Sequence, residues 1–401
     1  MFGMDSNTPF PRADMKPGTG RTRELLDRLG CPDKKLNILH VAGSNGKGSV
    51  CAYLSHILRE GGLRTGTFTS PAVFDRGECF AIDCLPAPRD ILQRYTDEAR
   101  SAAADMADAP SPFELDTCTA LAMFAGEGCT HCVLECGLGG LEDATNAVSR
   151  KSVAVITSIA LEHTDILGST IADICRHKGG IIRDCPAVVP DDLPDEAAAY
   201  FAARGAIAAG GGLKVLSRTE DCQRFTYGGS DYAVRMHGDE QLKNAAVAIE
   251  CAKLIGIPQD AVARGLYAAR LPGRVEPLRI GGRLFILDGA HNPGAFGPLM
   301  QFAGGMEGTK SLVYSCLSDK DVEGCAAVLS HVFGEVNIAP APDGRGMDTA
   351  AIAAAFEKNH VKAHIFADIP AALAAASGDI VAVCGTFTIL KEAKQWIGQG
   401  Q

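Results

Sequence analysis

A glycine-rich loop between an apolar segment and a helical pattern constrains the fold of this chain more than any other feature. The run from Ile38 to Ser49 reads ILHVAGSNGKGS. Small residues let the backbone curl around phosphate oxygens, and the helix that follows offers free N–H groups at the positive end of its dipole. Lys47 adds a positive charge for the β- and γ-phosphates. We therefore predict a loop that binds nucleotide phosphates through Asn45, Gly46, Lys47, Gly48 and Ser49.

Short apolar runs alternate with helical patterns along the 401 residues. The predicted strands are Leu36–Val41, Cys132–Cys136, Ser152–Ser158, Arg283–Leu287, Ser311–Cys316 and Asp379–Cys384. Such alternation predicts an α/β fold with largely parallel sheets. The turn Leu271–Arg274 marks a boundary, so we expect a large domain at 1–270 and a smaller α/β domain at 278–401. The alanine-rich stretch Glu196–Ala209 is predicted to be a helix.

Charge and cysteine content exclude several classes of protein. The net charge of −10 disfavours a nucleic-acid binder, which usually has a basic surface. No run of about 18 apolar residues occurs, so no membrane span is expected. The 15 cysteines are scattered, and the N-terminal segment lacks the apolar stretch of a secretory signal. We therefore expect free thiols in a cytoplasmic protein. The sequence gives no signal for the oligomeric state, and a monomer is the default expectation.

Three further segments follow or end apolar runs and carry side chains that suit magnesium. The segments are Thr69–Pro71, Val133–Gly140 and Ile156–His163. Each should lie at the carboxyl edge of a parallel sheet, where ligands bind in open α/β folds. Magnesium takes few protein ligands together with water and phosphate oxygens. Ser70, Glu135 and His163 are the candidate ligands.

The loop G-S-N-G-K-G-S resembles the phosphate loop of the Mur ligase superfamily, and most closely that of the folylpolyglutamate synthase/dihydrofolate synthase family. Its spacing differs from the common G-x-x-x-x-G-K-[ST] loop, which argues against a P-loop kinase or GTPase. The resemblance extends from about Arg21 to Leu390, with the motifs in the family's order. It implies a P-loop-type, mostly parallel ATPase domain at 1–270 and a smaller Rossmann-like glutamate-ligase domain at 278–401.

The resemblance also implies an activity and its ligands. The expected reaction is an ATP- and Mg²⁺-dependent ligation of L-glutamate to dihydropteroate or a reduced folate through an acyl phosphate. Ser70, Glu135 and His163 match the family's T-S-P, E-x-G-x-G-G and His positions. Lys178 matches a lysine that the family carboxylates, and its carbamate would help to hold a second magnesium. His177 replaces the family's Glu beside this lysine.

The C-terminal half carries the longest match. Phe285–Pro293 contains D-G-A-H-N-P in full. By resemblance, Asp288 contacts the nucleotide, and His291 faces the acyl phosphate and the incoming amino acid. Arg274, in a P-G-R-x-E segment, would reach an ATP phosphate, and Asn244 would meet the nucleotide. The implied catalytic residues are Lys47, Lys178, Asp288 and His291.

The resemblance is weaker on the acceptor side. The acceptor pocket would include Phe113, Glu114, Glu142, Asp143 and Ala144. Ala72 and Leu141 stand where the family has a His and an Arg, so two cations are absent near an anionic acceptor. These departures leave open a Mur-type ligase for a different acceptor and a catalytically inactive nucleotide-binding relative. The choice between adding the first glutamate and extending a polyglutamate also stays open.

Overall fold

The computed structural model describes residues 17–72, 75–342 and 344–398, which divide into two compact units. Within the described residues, unit 1 lies in 17–218, 223–235 and 240–270. Unit 2 lies in 219–222, 236–239 and 271–398. None of the described helices has the length and apolar character that a membrane span needs.

Unit 1 is built on an eight-stranded sheet. Its strands are β1 (Asn37–Ala42), β2 (Thr65–Phe68), β3 (Phe80–Ile82), β4 (Leu85–Pro86), β5 (His131–Glu135), β6 (Val153–Ile156), β7 (Ala187–Pro190) and β8 (Ile207–Ala209). The order across the sheet is β4-β3-β2-β5-β1-β6-β7-β8. The six strands from β2 to β8 in this order are parallel, and β3 and β4 are antiparallel additions at one edge. Strands β1, β2, β5 and β6 are almost wholly buried, as strands covered on both faces must be.

The helices of unit 1 cover this sheet. They are α1 (Gly20–Arg28), α2 (Lys47–Glu60), α3 (Arg89–Ala103), α4 (Pro112–Gly126), α5 (Thr164–Leu167), α6 (Ile171–Gly179), α7 (Asp195–Ala202), α8 (Asp239–Ile255) and α9 (Gln259–Ala268). Close packing between α2 and α9 depends on Gly265, because a Cβ there would lie 2.4 Å from the Cα of Ile57. Likewise, α4 approaches β2 so closely that a Cβ on Gly66 would lie 2.2 Å from the Phe124 ring.

The prediction of one helix over Glu196–Ala209 is wrong in its second half. Helix α7 ends at Ala202, and Gly205 adopts a left-handed φ of 72°. Residues Ile207–Ala209 then pair with β7 as the edge strand β8. Alanine favours a helix only weakly, and here the hydrogen bonds of a parallel sheet edge outweigh that preference. A separate three-stranded antiparallel sheet follows, formed by β9 (Lys214–Arg218), β10 (Gln223–Tyr227) and β11 (Ser230–Val234).

Unit 2 contains a six-stranded sheet in the order β12-β13-β17-β14-β15-β16. Its strands are β12 (Glu276–Ile280), β13 (Arg283–Leu287), β14 (Lys310–Tyr314), β15 (Glu335–Ile338), β16 (Lys362–Ile365) and β17 (Ile380–Cys384). Its helices are α10 (Gly297–Gly304), α11 (Val322–Leu329), α12 (Thr349–Lys358), α13 (Ile369–Ala375) and α14 (Thr388–Gly398). Only β12 runs antiparallel. The predicted fold class is confirmed: a mostly parallel α/β sheet is followed by a smaller α/β sheet.

Candidate active site

Strand order brings four chain segments to one edge of the unit 1 sheet. Strands β2, β5, β1 and β6 are adjacent and parallel, so their carboxyl ends lie side by side. The glycine-rich loop leaves β1 after Ala42, and Glu135 is the last residue of β5. Ser70 follows β2, and Thr157 follows β6 directly. This edge is where open parallel sheets bind their ligands.

The loop 43–46 is held by hydroxyl groups from the end of β6. The Thr157 hydroxyl donates to the Asn45 carbonyl over 2.5 Å, and the Asn45 N–H donates to Ser158 Oγ over 2.8 Å. A Cβ on Gly43 would lie 2.0 Å from Thr157 Oγ1, so only glycine fits there. Sequence reasoning missed Thr157 and Ser158, although two hydroxyl residues directly after a strand at this edge were a usable signal.

The donors around the loop fit a nucleotide phosphate. Gly46 is the N-cap of α2 with a left-handed φ of 86°, and no side chain caps the helix. Free N–H groups and the helix dipole at such a terminus attract anions. The Lys47 amine donates to the carbonyls of Gly43 and Ser44 over 2.8 and 3.2 Å, so its charge is held inside the loop. Asn244 on α8 also approaches, because a Cβ on Gly46 would lie 2.7 Å from its Oδ1.

Replacing Gly43 with alanine should unfold this loop. Its φ of 151° and the contact with the Thr157 hydroxyl both oppose a side chain. We expect a loss of about 2–4 kcal/mol in the free energy of unfolding, together with loss of nucleotide binding. Urea unfolding would measure the first effect. Gly20→Ala is the matched control, because no atom lies within 4 Å of a Cβ there. An unchanged midpoint for Gly43→Ala would contradict this account.

Two of the four predicted metal ligands, Ser70 and Glu135, are brought into contact. The Ser70 N–H donates to Glu135 Oε2 over 3.3 Å, and the Ser70–Pro71 peptide bond is cis. Glu135 is 4% exposed, so its carboxylate is nearly enclosed by protein. A buried carboxylate needs hydrogen bonds or a cation to offset the lost hydration.

Of the other two predicted metal ligands, Lys178 forms an ion pair with Glu162, and His163 is the next residue in sequence after that carboxylate. His163 has a left-handed φ of 47° at the start of α5, an uncommon conformation for a residue with a side chain. The neighbouring Glu162 accepts a 2.7 Å hydrogen bond from the amine of Lys178, which is 1% exposed. Burial lowers the pKa of Lys178, the Glu162 carboxylate opposes this shift, and the charge of Lys47 adds to it. Lys178 therefore lies within electrostatic range of the phosphate loop.

The candidate donors fit magnesium that arrives with a nucleotide. In the part of the chain that the structure describes, no group of three or more His, Cys, Asp or Glu residues is arranged to hold a metal. The predicted set holds only two residues of these types, Glu135 and His163, beside a serine and a lysine. Magnesium commonly binds through one or two carboxylates, with water and substrate phosphates completing its shell. A site with few protein ligands beside a phosphate loop is therefore what magnesium bound together with a nucleotide requires.

The predicted acceptor residues lie around the loop after β5. The Phe113 ring approaches Gly137, where a Cβ would lie 2.7 Å from Phe113 Cζ. The Glu114 carboxylate accepts from the Ser111 N–H over 2.6 Å in a capping box and from Arg21 Nε over 3.0 Å. It therefore organises the start of α4, and its contact with an acceptor stays a prediction.

The remaining acceptor candidates divide between exposed and buried positions. Asp143 is buried and accepts hydrogen bonds from the N–H groups of Leu138 and Thr145 over 2.8 and 3.0 Å. Ala144 is buried beside it, while Glu142 is exposed. Asp143 thus shapes the loop, and Glu142 is the candidate most open to solvent.

Unit 2 gathers its own predicted catalytic residues after β13. Asp288 is 3% exposed and accepts from the Ala290 N–H over 2.9 Å. Burial raises its pKa to about 6, opposed by the Ala290 N–H and the charge of Arg274. His291 Nδ1 lies 2.9 Å from the Gly289 carbonyl, to which it can donate, leaving Nε2 as the acceptor in a neutral ring.

Within unit 2, the ring of Phe387 lies beside both Arg274 and the segment that carries Asp288 and His291. The Arg274 guanidinium lies 5.0 Å from the centroid of the Phe387 ring. A Cβ on Gly289 would lie 2.0 Å from Phe387 Cε1, so the ring packs directly on the backbone of the D-G-A-H-N-P segment. The role of Phe387 is visible only through these contacts, which no local sequence pattern indicates.

Two family models match the chain. The Mur ligase middle domain matches residues 41–252, and the Mur ligase, glutamate ligase domain, matches residues 273–387. The first match covers the phosphate loop and the candidate metal ligands. The second covers Arg274, Asp288 and His291.

Relatives and solved structures agree with these matches. A folylpolyglutamate synthase from Lacticaseibacillus casei is 31% identical over 425 residues, covering 98% of this chain and 97% of the relative. A probable bifunctional folylpolyglutamate synthase/dihydropteroate synthase from Halobacterium salinarum is 35% identical, covering 94% of this chain, which spans 49% of that relative's length. Escherichia coli FolC in complex with DHPP and ADP superimposes with a TM-score of 0.83 at 29% identity, with 97% and 95% of the two chains covered. The chain therefore belongs to the folylpolyglutamate synthase/dihydrofolate synthase family of the Mur ligase superfamily.

Proposed function

We propose that this chain is an ATP- and magnesium-dependent ligase that joins L-glutamate to the carboxylate of a folate-type acceptor, either dihydropteroate or a reduced folate. The observation that carries the proposal is the edge of the eight-stranded sheet, where the phosphate loop lies beside Ser70 and Glu135. The match to a glutamate ligase domain and the folylpolyglutamate synthase relative support the reaction class. The ADP-bound FolC structure supports the nucleotide.

The first chemical stage would be transfer of the γ-phosphoryl group. An acceptor carboxylate oxygen forms a bond to the γ-phosphorus, and the bond to the ADP oxygen breaks, which gives an acyl phosphate. Catalysis of this kind depends mainly on positioning and on neutralising charge. Lys47 and Arg274 would supply positive charge to the phosphates. Magnesium, when bound by Ser70, Glu135, His163 and a carboxylated Lys178, would neutralise phosphate oxygens.

The second stage would form the amide bond. The glutamate amine attacks the activated carbonyl carbon, and the phosphate leaves. His291 Nε2 can accept the proton that the amine loses, because Nδ1 is directed at the Gly289 carbonyl. Residues 1–270 would serve as the ATP-binding domain and 278–401 as the glutamate-ligase domain. All 15 cysteines are free thiols, which supports a reducing compartment such as the cytoplasm; a monomer stays a prediction.

Glutamate-dependent ADP release tests the proposal. The enzyme is incubated with ATP, magnesium and L-glutamate, with dihydropteroate or tetrahydrofolate as acceptor, and product masses are recorded. We expect a product that carries one added glutamyl group on at least one acceptor. A mass increase of one glutamyl group on dihydropteroate alone would assign first-glutamate addition. Successive increases of this mass on tetrahydrofolate would assign extension. ADP release without an amide product, or no turnover by a sample that binds ATP, would refute the proposal.

Lys178 provides a second test of the same proposal. Burial lowers its pKa, which favours the neutral amine that reacts with CO₂; an N–C bond forms and a proton passes to water. We expect a ¹³C carbamate signal after incubation with ¹³C-bicarbonate, absent from Lys178→Ala. Turnover of that variant should fall by about 10²-fold, because the carbamate that would help to hold magnesium at the phosphates is lost. The exposed Lys391→Ala is the control. Unchanged spectra and turnover in Lys178→Ala would contradict the assignment.

A further inference from the structure

The first turn of α8 packs its polar side chains on the first turn of α2. The Gln241 amide Nε2 donates to Ser49 Oγ over 3.2 Å, although 192 positions separate the two residues. Both are nearly enclosed, with Gln241 9% and Ser49 5% exposed. Three residues further along the same helix face, Asn244 stands against Gly46. This face of α8 therefore contacts both the phosphate loop, at Gly46, and the first turn of the helix that comes after it, at Ser49.

Gln241 carries a buried acceptor that has no donor. Its Oε1 is enclosed and makes no hydrogen bond. A buried polar atom without a partner costs free energy, and its retention in a folded protein calls for an explanation such as a ligand or an ordered water. The atom lies on the residue that contacts the phosphate-loop helix, where a water molecule bound with a nucleotide would supply the missing donor.

The direction of the hydrogen bond determines what Ser49 can do. Because the amide N–H occupies a lone pair of Ser49 Oγ, the hydroxyl hydrogen is left to point elsewhere. A hydroxyl in the first turn of a helix after a phosphate loop can donate that hydrogen to a phosphate oxygen. The free N–H groups of the same turn favour an anion at this position.

We propose that Gln241 is a positioning residue for the nucleotide: it holds the Ser49 hydroxyl as a donor to a phosphate oxygen, and its Oε1 gains a hydrogen bond only in the nucleotide-bound state. The inference rests on the proposed function, since it requires a nucleotide at this loop. It assigns to Gln241 a role in binding, separate from the contact of Asn244.

Gln241→Met separates this role from a structural one. Methionine keeps the length and removes both the donor and the unpartnered acceptor. We expect magnesium–ADP, measured by calorimetry, to bind about 5–10-fold more weakly. The midpoint of thermal unfolding without nucleotide should stay the same or rise, because no buried acceptor is left unsatisfied. Gln259→Met is the matched control, since Gln259 makes an exposed hydrogen bond to Ser230 Oγ and should leave ADP affinity unchanged.

A double-mutant cycle with Ser49→Ala tests the route of the effect. If Gln241 acts through Ser49, Gln241→Met should weaken ADP binding less in the Ser49→Ala background than in the wild-type background, and the loss that remains there measures the hydrogen bond of Oε1. Additive losses would overturn the inference, as would a lowered unfolding midpoint with unchanged ADP affinity. A wild-type protein that fails to bind magnesium–ADP would instead refute the proposed function itself.

Discussion

Lys47→Met should lower the rate of glutamate-dependent ADP release by about 10²–10³-fold, the largest loss that we expect from a single side chain. The amine lies inside the phosphate loop, where it donates to the carbonyls of Gly43 and Ser44. A bound nucleotide would bring phosphate charge to this position, and the developing charge of phosphoryl transfer is stabilised most by a cation already in place. Methionine keeps the apolar stem and removes only the charge and the donors.

The control for this prediction is Lys35→Met, which removes an exposed lysine of unit 1. Its turnover and its unfolding midpoint should match the wild-type values. Unfolding of Lys47→Met should also be recorded, because the two hydrogen bonds of the amine stabilise the loop. Turnover within about tenfold of wild type would show that Lys47 does not neutralise the transferring phosphoryl group.

Asp288→Asn should make the protein more stable at neutral pH while it abolishes most activity. The folded-state pKa of about 6 lies above the ordinary 3.8, so the carboxyl favours folding below about pH 4 and loses that contribution as pH rises through 6. At pH 7 and above, the folded state therefore holds a buried charge at a cost of about 3 kcal/mol. Asparagine removes the charge and can still accept from the Ala290 N–H.

Urea unfolding at about pH 4 and about pH 8 measures this effect. The variant should gain stability over wild type at the higher pH and little at the lower one. Asp379→Asn is a control of opposite sign, because hydrogen bonds from Thr309 lower the pKa of that exposed carboxyl. Loss of the Asp379 charge should lower the free energy of unfolding at the higher pH. A destabilised Asp288→Asn at about pH 8 would contradict the account of a buried, uncompensated charge.

The segments with strong local signals were predictable from the sequence. Strand β13 has the predicted bounds, and the glycine-rich loop joins a strand to a helix as predicted. Burial on both faces makes such strands continuous apolar runs, which are visible without a structure. The antiparallel sheet β9-β10-β11 was missed, because every residue of β9 is exposed and its sequence shows no alternation of apolar and polar residues.

Local sequence determined the chemistry that each segment can supply: a phosphate loop, carboxylates and hydroxyls at strand ends, and the D-G-A-H-N-P turn. Tertiary structure alone decided which of these groups meet. The neighbours of β1 in the sheet are β5 and β6, so Glu135 lies beside the end of the strand that carries the loop, and Thr157 contacts the loop itself. The contact of Gln241 with Ser49 spans 192 positions. Such contacts depend on how whole elements pack, because burial of apolar faces and not local preference sets the order of strands and the placing of helices.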